Sequence, residues 1–500
     1  MQYFLTFDVG TTSMKCLLFD ENFKEVFFDE TEYSLLTPAQ DIVEIDPDIY
    51  FNTLCGSTNK IAKSGISVDD IAAITITTQG ETLIPIDKDG KTLRNAIVWI
   101  DGRAVIEADE IKAKIDSKEI YKITGLGEIN GCVPAAKLLW IYKNEPEVYD
   151  NTYKFMLLED YLIYRLTGAA VTEQSLISST AWFDIVNECY YDKMLDVCSI
   201  DKDKLPEILP CGEKVANLTA DAAKLTGLSE KTIVVTGAMD QVSSAIGAGN
   251  ICDGIVTETT GTALVAGATA SQPDFSSDCA ITIYKHFNHG YLYMPYCNTA
   301  GIVLKWFRDE LMKELKRNAK ETGVSAYALI DEIAAESKAG SNGVVVLPHF
   351  AGRSVTSPND KTKGVIYGIT LGTKLSDVAR SVLESVACML KELIDSFEKQ
   401  GINVTEIRSL GGGANSDLWC EIKAGICNKN IMRSSYAQTT ALGAAILGAT
   451  AMGKYNSVEE AVKVADLGFT KFEPKTEDLA AYKEASEKYY ELYEALDKVF

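Results

Sequence analysis

Residues 3–7 (Tyr-Phe-Leu-Thr-Phe) form an apolar run that reads as a strand, and residues 8–12 break it with a Gly-Thr turn. Residues 15–20 resume the pattern as a second strand; after a turn near Glu21-Asn22, residues 25–28 read as a third. Residues 74–76 and 83–86 look like adjoining strands, with Asp89-Gly90 as a hairpin turn. Between them sits a polar knot, Gln79-Gly80-Glu81-Thr82, where a core strand should run on. The period changes further along. Val378, Val382, Val386, Leu390, Leu393 and Phe397 recur at helical spacing, with Gly401 as a stop. Leu479, Tyr482, Tyr489, Tyr493, Leu496 and Phe500 predict a C-terminal helix whose tyrosine stripe is core packing, with Glu484 and Lys488 spaced as an i,i+4 pair. Alternating strand-like and helix-like segments predict α/β layers.

At 500 residues the chain is too long for one core. Two similar openings, FDVGTTSMKCLLF and TETTGTALVAG (257–267), suggest two domains of like plan. The glycines of residues 247–254 mark the boundary, giving 1–247 and 248–500. Forty-eight Lys and Arg against 71 Asp and Glu leave a net charge of −23, a surface that repels nucleic acid and anionic membranes. The start lacks a basic leader and no apolar run reaches membrane-spanning length, so the expected compartment is the cytoplasm. The twelve cysteines form no CxxC pair and are expected to be buried thiols. His286 and His289 make an HxxH without a third ligand nearby, so no zinc site is expected.

Five stretches could carry chemistry. In residues 8–13 (DVGTTS), glycine lets amides approach an anion, threonines add donors, and Asp8 offers hard oxygen for Mg²⁺, with Lys15 just beyond. A plain hairpin turn fits this stretch equally well. Residues 257–267 repeat the Gly-Thr turn and read alone as a hairpin; two such turns suit a nucleotide clamped between domains. In residues 409–426 three glycines lie between a strand and a helix, without dinucleotide-fingerprint spacing. No Walker lysine loop is present. Asp240 follows a strand and a glycine and opens an Ala/Gly-rich segment; it could accept a proton or simply cap a helix. Finally, the knot and the stretch Asn95 to Arg103 bring Gln79, Glu81, Trp99, Asp101 and Arg103 to two strand ends. An aromatic face beside polar tips suits a polyhydroxylated ligand, and a structural Asp101–Arg103 ion pair is the alternative.

In sequence order DVGTTSMK, QGET, NAIVWIDGR, PAAKLLWIYKNEP, LLEDYLIYRLTG, GAMDQ, TTGTALVAG, GGGANSDLW and TALGAAILGA resemble the FGGY carbohydrate kinase family over nearly the whole chain. Residues 364–384 resemble its second signature. The resemblance implies two ribonuclease-H-like (actin-like ATPase) domains with ATP and sugar in the cleft between them. It implies that Asp8 places Mg²⁺, that Thr11, Thr12, Ser13 and Lys15 face the phosphates, and that Gly261 and Thr262 hold phosphate from the second domain. Gly301, Gly412, Gly413 and Asn415 would line the nucleotide pocket, and Asp240 would be the general base with Gln241 beside it on the substrate. A homodimer is an open expectation, since family members often dimerise.

Xylulokinases commonly place Met-His-Gly at the knot, and glycerol kinases place Arg-Glu-Thr after a Gln. This chain keeps Gln79, Glu81 and Thr82 but has Gly80 where the arginine would stand. That removes a fork of donors and opens volume for a longer sugar. The expected acceptor is a ketose such as xylulose, with a glycerol, tetritol or gluconate kinase as the alternative. An acceptor-independent ATPase or a sugar sensor is the reading from another class, and the Glu81, Trp99, Asp101, Arg103 cluster weighs against it.

Overall fold

The computed structural model describes residues 2–276, 281–354, 358–496 and 498–499. The first half is built on a six-stranded sheet ordered Lys214–Asn217, Ile233–Val235, Ile71–Thr78, Tyr3–Val9, Ser13–Asp20, Glu25–Glu32. Its central strands are buried on both faces, so alternate residues enter different cores. Leu5, Phe7 and Val9 pack with Tyr50, Phe51 and Tyr161. Phe4 and Ala73 join the other core, which includes Leu442 and Ile446.

The second half repeats the plan. Ile255–Thr260 and Leu264–Ala270 form a hairpin, as Tyr3–Val9 and Ser13–Asp20 do. Each hairpin's first strand has a parallel partner, Glu406–Leu410 in the second half and Ile71–Thr78 in the first. Gln79-Gly80-Glu81 and Gly411-Gly412-Gly413 therefore leave equivalent strand ends. That equivalence links two stretches with no sequence likeness.

Three local expectations need correction. Residues 71–78 and Leu83–Ile86 are consecutive but do not adjoin: the latter belongs to a separate sheet ordered Leu36–Ala39, Ile42–Ile45, Ala96–Ile97, Leu83–Ile86, Lys154–Leu157. The knot is the crossover between two sheets, which is why polar residues interrupt the apolar run. Lys488 pairs with Glu491 at 3.1 Å rather than with Glu484, and its ammonium lies 5.8 Å from the Tyr367 ring centroid. Cys189 and Cys252 are exposed, because each sits in a polar surface segment, whereas Cys16 and Cys427 are buried.

The long helix spans Leu375–Lys399, with its apolar face buried and Gly401 beyond its end at φ 81°. Tyr482, Tyr489 and Tyr493 are buried along the final helix, Leu479–Leu496; Phe500, expected on the same stripe, lies outside the described residues. Helix Asp240–Gly247 crosses Thr439–Ala451 from the second half at backbone contact. A Cβ on Gly247 would stand 1.8 Å from Thr439 O, and one on Gly443 1.8 Å from Ser243 O. Only glycine permits that approach. Among the described residues no helix is long and apolar enough to cross a membrane.

Candidate active site

The first Gly-Thr turn closes with Gly10 N–H donating to Ser13 O at 2.9 Å. Tyr33 braces it from behind, its hydroxyl 2.5 Å from Gly10 O and 3.0 Å from Ser13 O. Asp8 lies opposite Lys15 in the strand register. Burial pushes the Asp8 carboxyl up, and Lys15 partly offsets this. Lys15 also donates to Gln438 of the second half at 3.2 Å. Ser13 donates to Glu30 at 3.1 Å, Thr11 accepts the Trp99 indole N–H at 3.0 Å, and Thr12 is exposed.

At the knot, Gln79 N–H donates to Val9 O at 3.0 Å, which ties the two strand ends together. The Gln79 side chain is buried, donates to the Tyr50 hydroxyl at 3.3 Å, and leaves its Oε1 without a protein donor. Glu81 adopts φ 71°, a left-handed backbone that costs a non-glycine residue free energy and is typical of functional turns. Burial raises its carboxyl to about 7; Lys137 opposes the shift and Asp240 adds to it. A Cβ on Gly80 would meet Met239 Sδ at 3.2 Å and Ser179 Oγ at 3.3 Å.

Trp99 is 40% exposed and stands over this region, with its amide bound to Thr82 Oγ1 at 3.2 Å. Asp101 and Arg103 lie alongside, engaged with each other. The fully buried Asp101 carboxylate accepts Arg103 Nε at 2.8 Å and Nη2 at 2.7 Å, Arg103 N at 3.1 Å and Val43 N at 2.6 Å. Arg103 also reaches Glu44 at 2.7 Å. The ion pair weighed against ligand binding is formed, and it saturates the Asp101 carboxylate.

Asp240 is the first residue of its helix, and Met239 occupies the cap position. The capping alternative is not realised: the carboxylate accepts the adjacent Gln241 N–H at 2.6 Å and no amide further along. Burial raises its carboxyl to about 7, the Asp8 charge adds to this, and the Gln241 bond opposes it. Gln241 faces the second half, lining a crevice with Ser244, Thr257, Thr259 and Leu410.

In the second half, Gly261 N–H donates to Ala263 O at 2.9 Å and Gly301 N–H to Gly261 O at 2.8 Å. A Cβ on Gly301 would lie 2.3 Å from Gly261 O. Thr262 is exposed, and its carbonyl accepts Ala300 N–H at 3.0 Å. Gly413 packs on Thr260, where a Cβ would stand 2.6 Å from Thr260 Cβ, whereas Gly412 faces open space and Asn415 is exposed.

Sequence reasoning missed four residues around the site. Lys137, fully buried, donates to Val98 O at 2.9 Å and Trp99 O at 3.0 Å, and burial lowers its pKa to about 8. Its signal was a lysine among the apolar residues of the first two turns of helix Pro134–Asn144, where Lys143 near the helix end is the surface lysine. Lys423, also fully buried, holds Glu258 at 2.6 Å and Thr260 Oγ1 at 3.0 Å beneath the second Gly-Thr turn. Tyr284 and Tyr296 come from the second half; burial holds the Tyr284 phenol protonated, with Glu81 and Asp240 adding to the effect. Nothing in the sequence marks these two tyrosines.

Two Gly-Thr turns and a pair of glycine-bearing strand ends thus surround carboxylates on Asp8, Glu81 and Asp240. The model for the FGGY carbohydrate kinase N-terminal domain matches residues 3–247, and that for the C-terminal domain matches residues 256–452. A xylulose kinase of Staphylococcus xylosus is 28% identical over 92% of this chain and 93% of its own length. A gluconokinase of Bacillus licheniformis is 28% identical over 100% of this chain and 97% of its own. The crystal structure of ligand-bound xylulose kinase from Lactobacillus acidophilus superposes with TM-score 0.89 at 25% identity, covering 99% of each chain. The two-halved α/β architecture is the actin-like ATPase fold of these kinases. The chain belongs to the FGGY family of carbohydrate kinases, phosphotransferases that use ATP to phosphorylate a sugar or polyol.

Proposed function

We propose that this kinase phosphorylates an uncharged ketose such as xylulose, with Asp240 as the general base. The observation that carries the reading is the acidity of the acceptor region. Glu81, Asp240 and Asp8 interact there, while the neighbouring cations are committed: Lys137 to two carbonyls, Arg103 to Asp101 and Glu44. The carboxylate of an aldonate would meet like charge without a free partner, whereas sugar hydroxyls can donate to these acids. Gly80 removes the arginine fork that would grip a small polyol, but it does not open the expected volume, since a Cβ there would meet Met239 Sδ at 3.2 Å and Ser179 Oγ at 3.3 Å.

In this reading residues 1–247 hold the sugar and the first phosphate turn, and residues 248–500 hold the nucleotide. Gln79, Glu81 and Trp99 contact the sugar, with Gln241 beside it; Asp101 and Arg103 hold the Trp99 loop in place. Thr11, Thr12, Ser13 and Lys15 on one side and Gly261 and Thr262 on the other face the phosphates. Gly301, Gly412, Gly413 and Asn415 line the nucleotide. The Asp8 carboxylate accepts no hydrogen bond from a described residue and its charge is felt at Asp240, so its hard oxygens would be the ones to hold Mg²⁺. When bound there, Mg²⁺ supplies charge neutralisation on the transferring phosphoryl group. Asp240 takes the acceptor's hydroxyl proton, and closure of the cleft excludes water that would otherwise receive the phosphoryl group.

The test is coupled ADP release across pentuloses, hexuloses, polyols and aldonates. The expected result is strong stimulation by a ketose and none by gluconate. Preference for gluconate would overturn the ketose reading. Full turnover without any acceptor would favour an acceptor-independent ATPase.

A further inference from the structure

The backbone leading into Asp240 is held from inside the first half by groups that never reach the cleft. Glu159, in helix Leu158–Thr167, is fully buried, and its Oε1 accepts Gly237 N–H at 2.8 Å. Glu173, also fully buried, accepts Ser175 N–H at 2.6 Å, Leu176 N–H at 2.5 Å and the Ser175 hydroxyl at 2.7 Å. That last bond spends the hydroxyl proton of Ser175 on Glu173. The Ser175 oxygen is left as an acceptor, and Met239 N–H donates to it at 2.9 Å.

On its other side the loop is pressed against strand Ile71–Thr78. A Cβ on Gly237 would lie 1.8 Å from Ile76 O, and Met239 bridges to Thr78. Two amides, two residues apart, are thus pinned immediately before Asp240, whose carboxylate, among the described residues, accepts the adjacent Gln241 N–H alone. Buried carboxylates are a costly way to satisfy two amides. Burial pushes Glu159 and Glu173 upward, and the Glu173 charge adds to the shift at Glu159. A packed apolar contact would secure the chain more cheaply, but without fixing the two N–H vectors.

We infer that Glu159 and the Glu173–Ser175 pair are positioning residues for phosphoryl transfer, which set where the Asp240 carboxylate stands. The inference rests on Asp240 as the proton acceptor. Phosphoryl transfer is sensitive to such placement, since a shift of about 1 Å at a reacting group costs on the order of 10²-fold in rate.

The test compares Glu159→Leu, Glu159→Gln, Ser175→Ala and Asp240→Asn, using the acceptor that turns over in the ADP-release panel. Ser175→Ala and Glu159→Leu are expected to lower kcat about 10- to 100-fold. The KM for ATP and the thermal midpoint should stay close to wild type. Glu159→Gln keeps an oxygen facing Gly237 N–H and is expected to restore most of kcat. Wild-type kcat in Ser175→Ala and Glu159→Leu would overturn the inference. So would a parallel loss of kcat, ATP affinity and thermal stability, which marks support of the fold alone. If Glu159→Leu does not fold, Ser175→Ala decides. An active Asp240→Asn would instead remove the base on which the inference rests, whereas an inert Asp240→Asn beside a fully active Ser175→Ala removes only the positioning role.

Discussion

Single residues carry the proposed chemistry, and Asp240, the proposed base, most of all. Its carboxyl, raised to about 7, must be ionised to accept a proton. The expected kcat/KM therefore falls as pH drops through about 7, with the acid limb reporting the free enzyme. A flat profile from pH 6 to 8 would count against Asp240 as the base. Asp240→Asn is expected to lose on the order of 10²–10⁴ in rate with ATP binding nearly intact, as read by calorimetry beside turnover. Gly301 makes a second residue-scale prediction. Its Cβ position, 2.3 Å from Gly261 O, means that Gly301→Ala must displace the second Gly-Thr turn, proposed above to hold phosphate. Overpacking of this kind costs about 1–3 kcal/mol, so ATP affinity measured by calorimetry should fall about 10- to 100-fold. Wild-type affinity would remove Gly261 from the phosphate site.

Between elements, the crossing of Asp240–Gly247 with Thr439–Ala451 ties the helix that opens with Asp240 to the second half. Gly443 has no room for a methyl group against Ser243 O. Gly443→Ala should cost at least about 1–3 kcal/mol, visible as a lower thermal midpoint, because two backbones must separate. An unchanged midpoint would mean that the crossing is looser than its geometry. The strand ends act at the same scale. The knot and the triple glycine occupy matching positions after parallel strands, so one plan delivers a polar turn to the cleft from each side.

Across the whole molecule, several buried or half-buried carboxyls share one direction of shift. Glu81, Asp160 and Asp240 are each raised to about 7, and Glu159 and Glu173 are raised as well. Between the unfolded carboxyl range near pH 4 and about pH 7, these groups bind more protons in the folded chain than in the unfolded one, and the buried His286 and His349, lowered to about 4 from 6.5, offset part of this. Stability from these groups is therefore greatest on the acid side of that window and declines as pH rises through 7. The thermal midpoint of the ligand-free protein is expected to be higher at pH 6 than at pH 8. The double variant Glu81→Gln, Asp240→Asn should flatten the slope. A midpoint that rises from pH 6 to 8 would contradict the burial of these acids. The net charge of −23 adds self-repulsion with the same sign, since it grows as carboxyls ionise.

The sequence alone determined whatever rests on local order. The Gly-Thr hairpins at 8–13 and 259–262 follow from glycine between apolar runs, and the long helix from its period and its Gly401 stop. The two-halved plan showed in the likeness of the two openings, and the family in nine short motifs kept in order. Tertiary structure decided what depends on partners distant in the chain. It set the knot between two sheets instead of within one, and it matched the knot to the triple glycine through parallel pairing that no local pattern records. It paired Asp101 with Arg103, buried Lys137 beneath Trp99, and brought Glu159 and Ser175 to the amides before Asp240. A side chain's charge is written in the sequence. Whether it faces a ligand or holds a neighbour is settled by burial and by which amides lie within 3 Å or so, and those come from the fold.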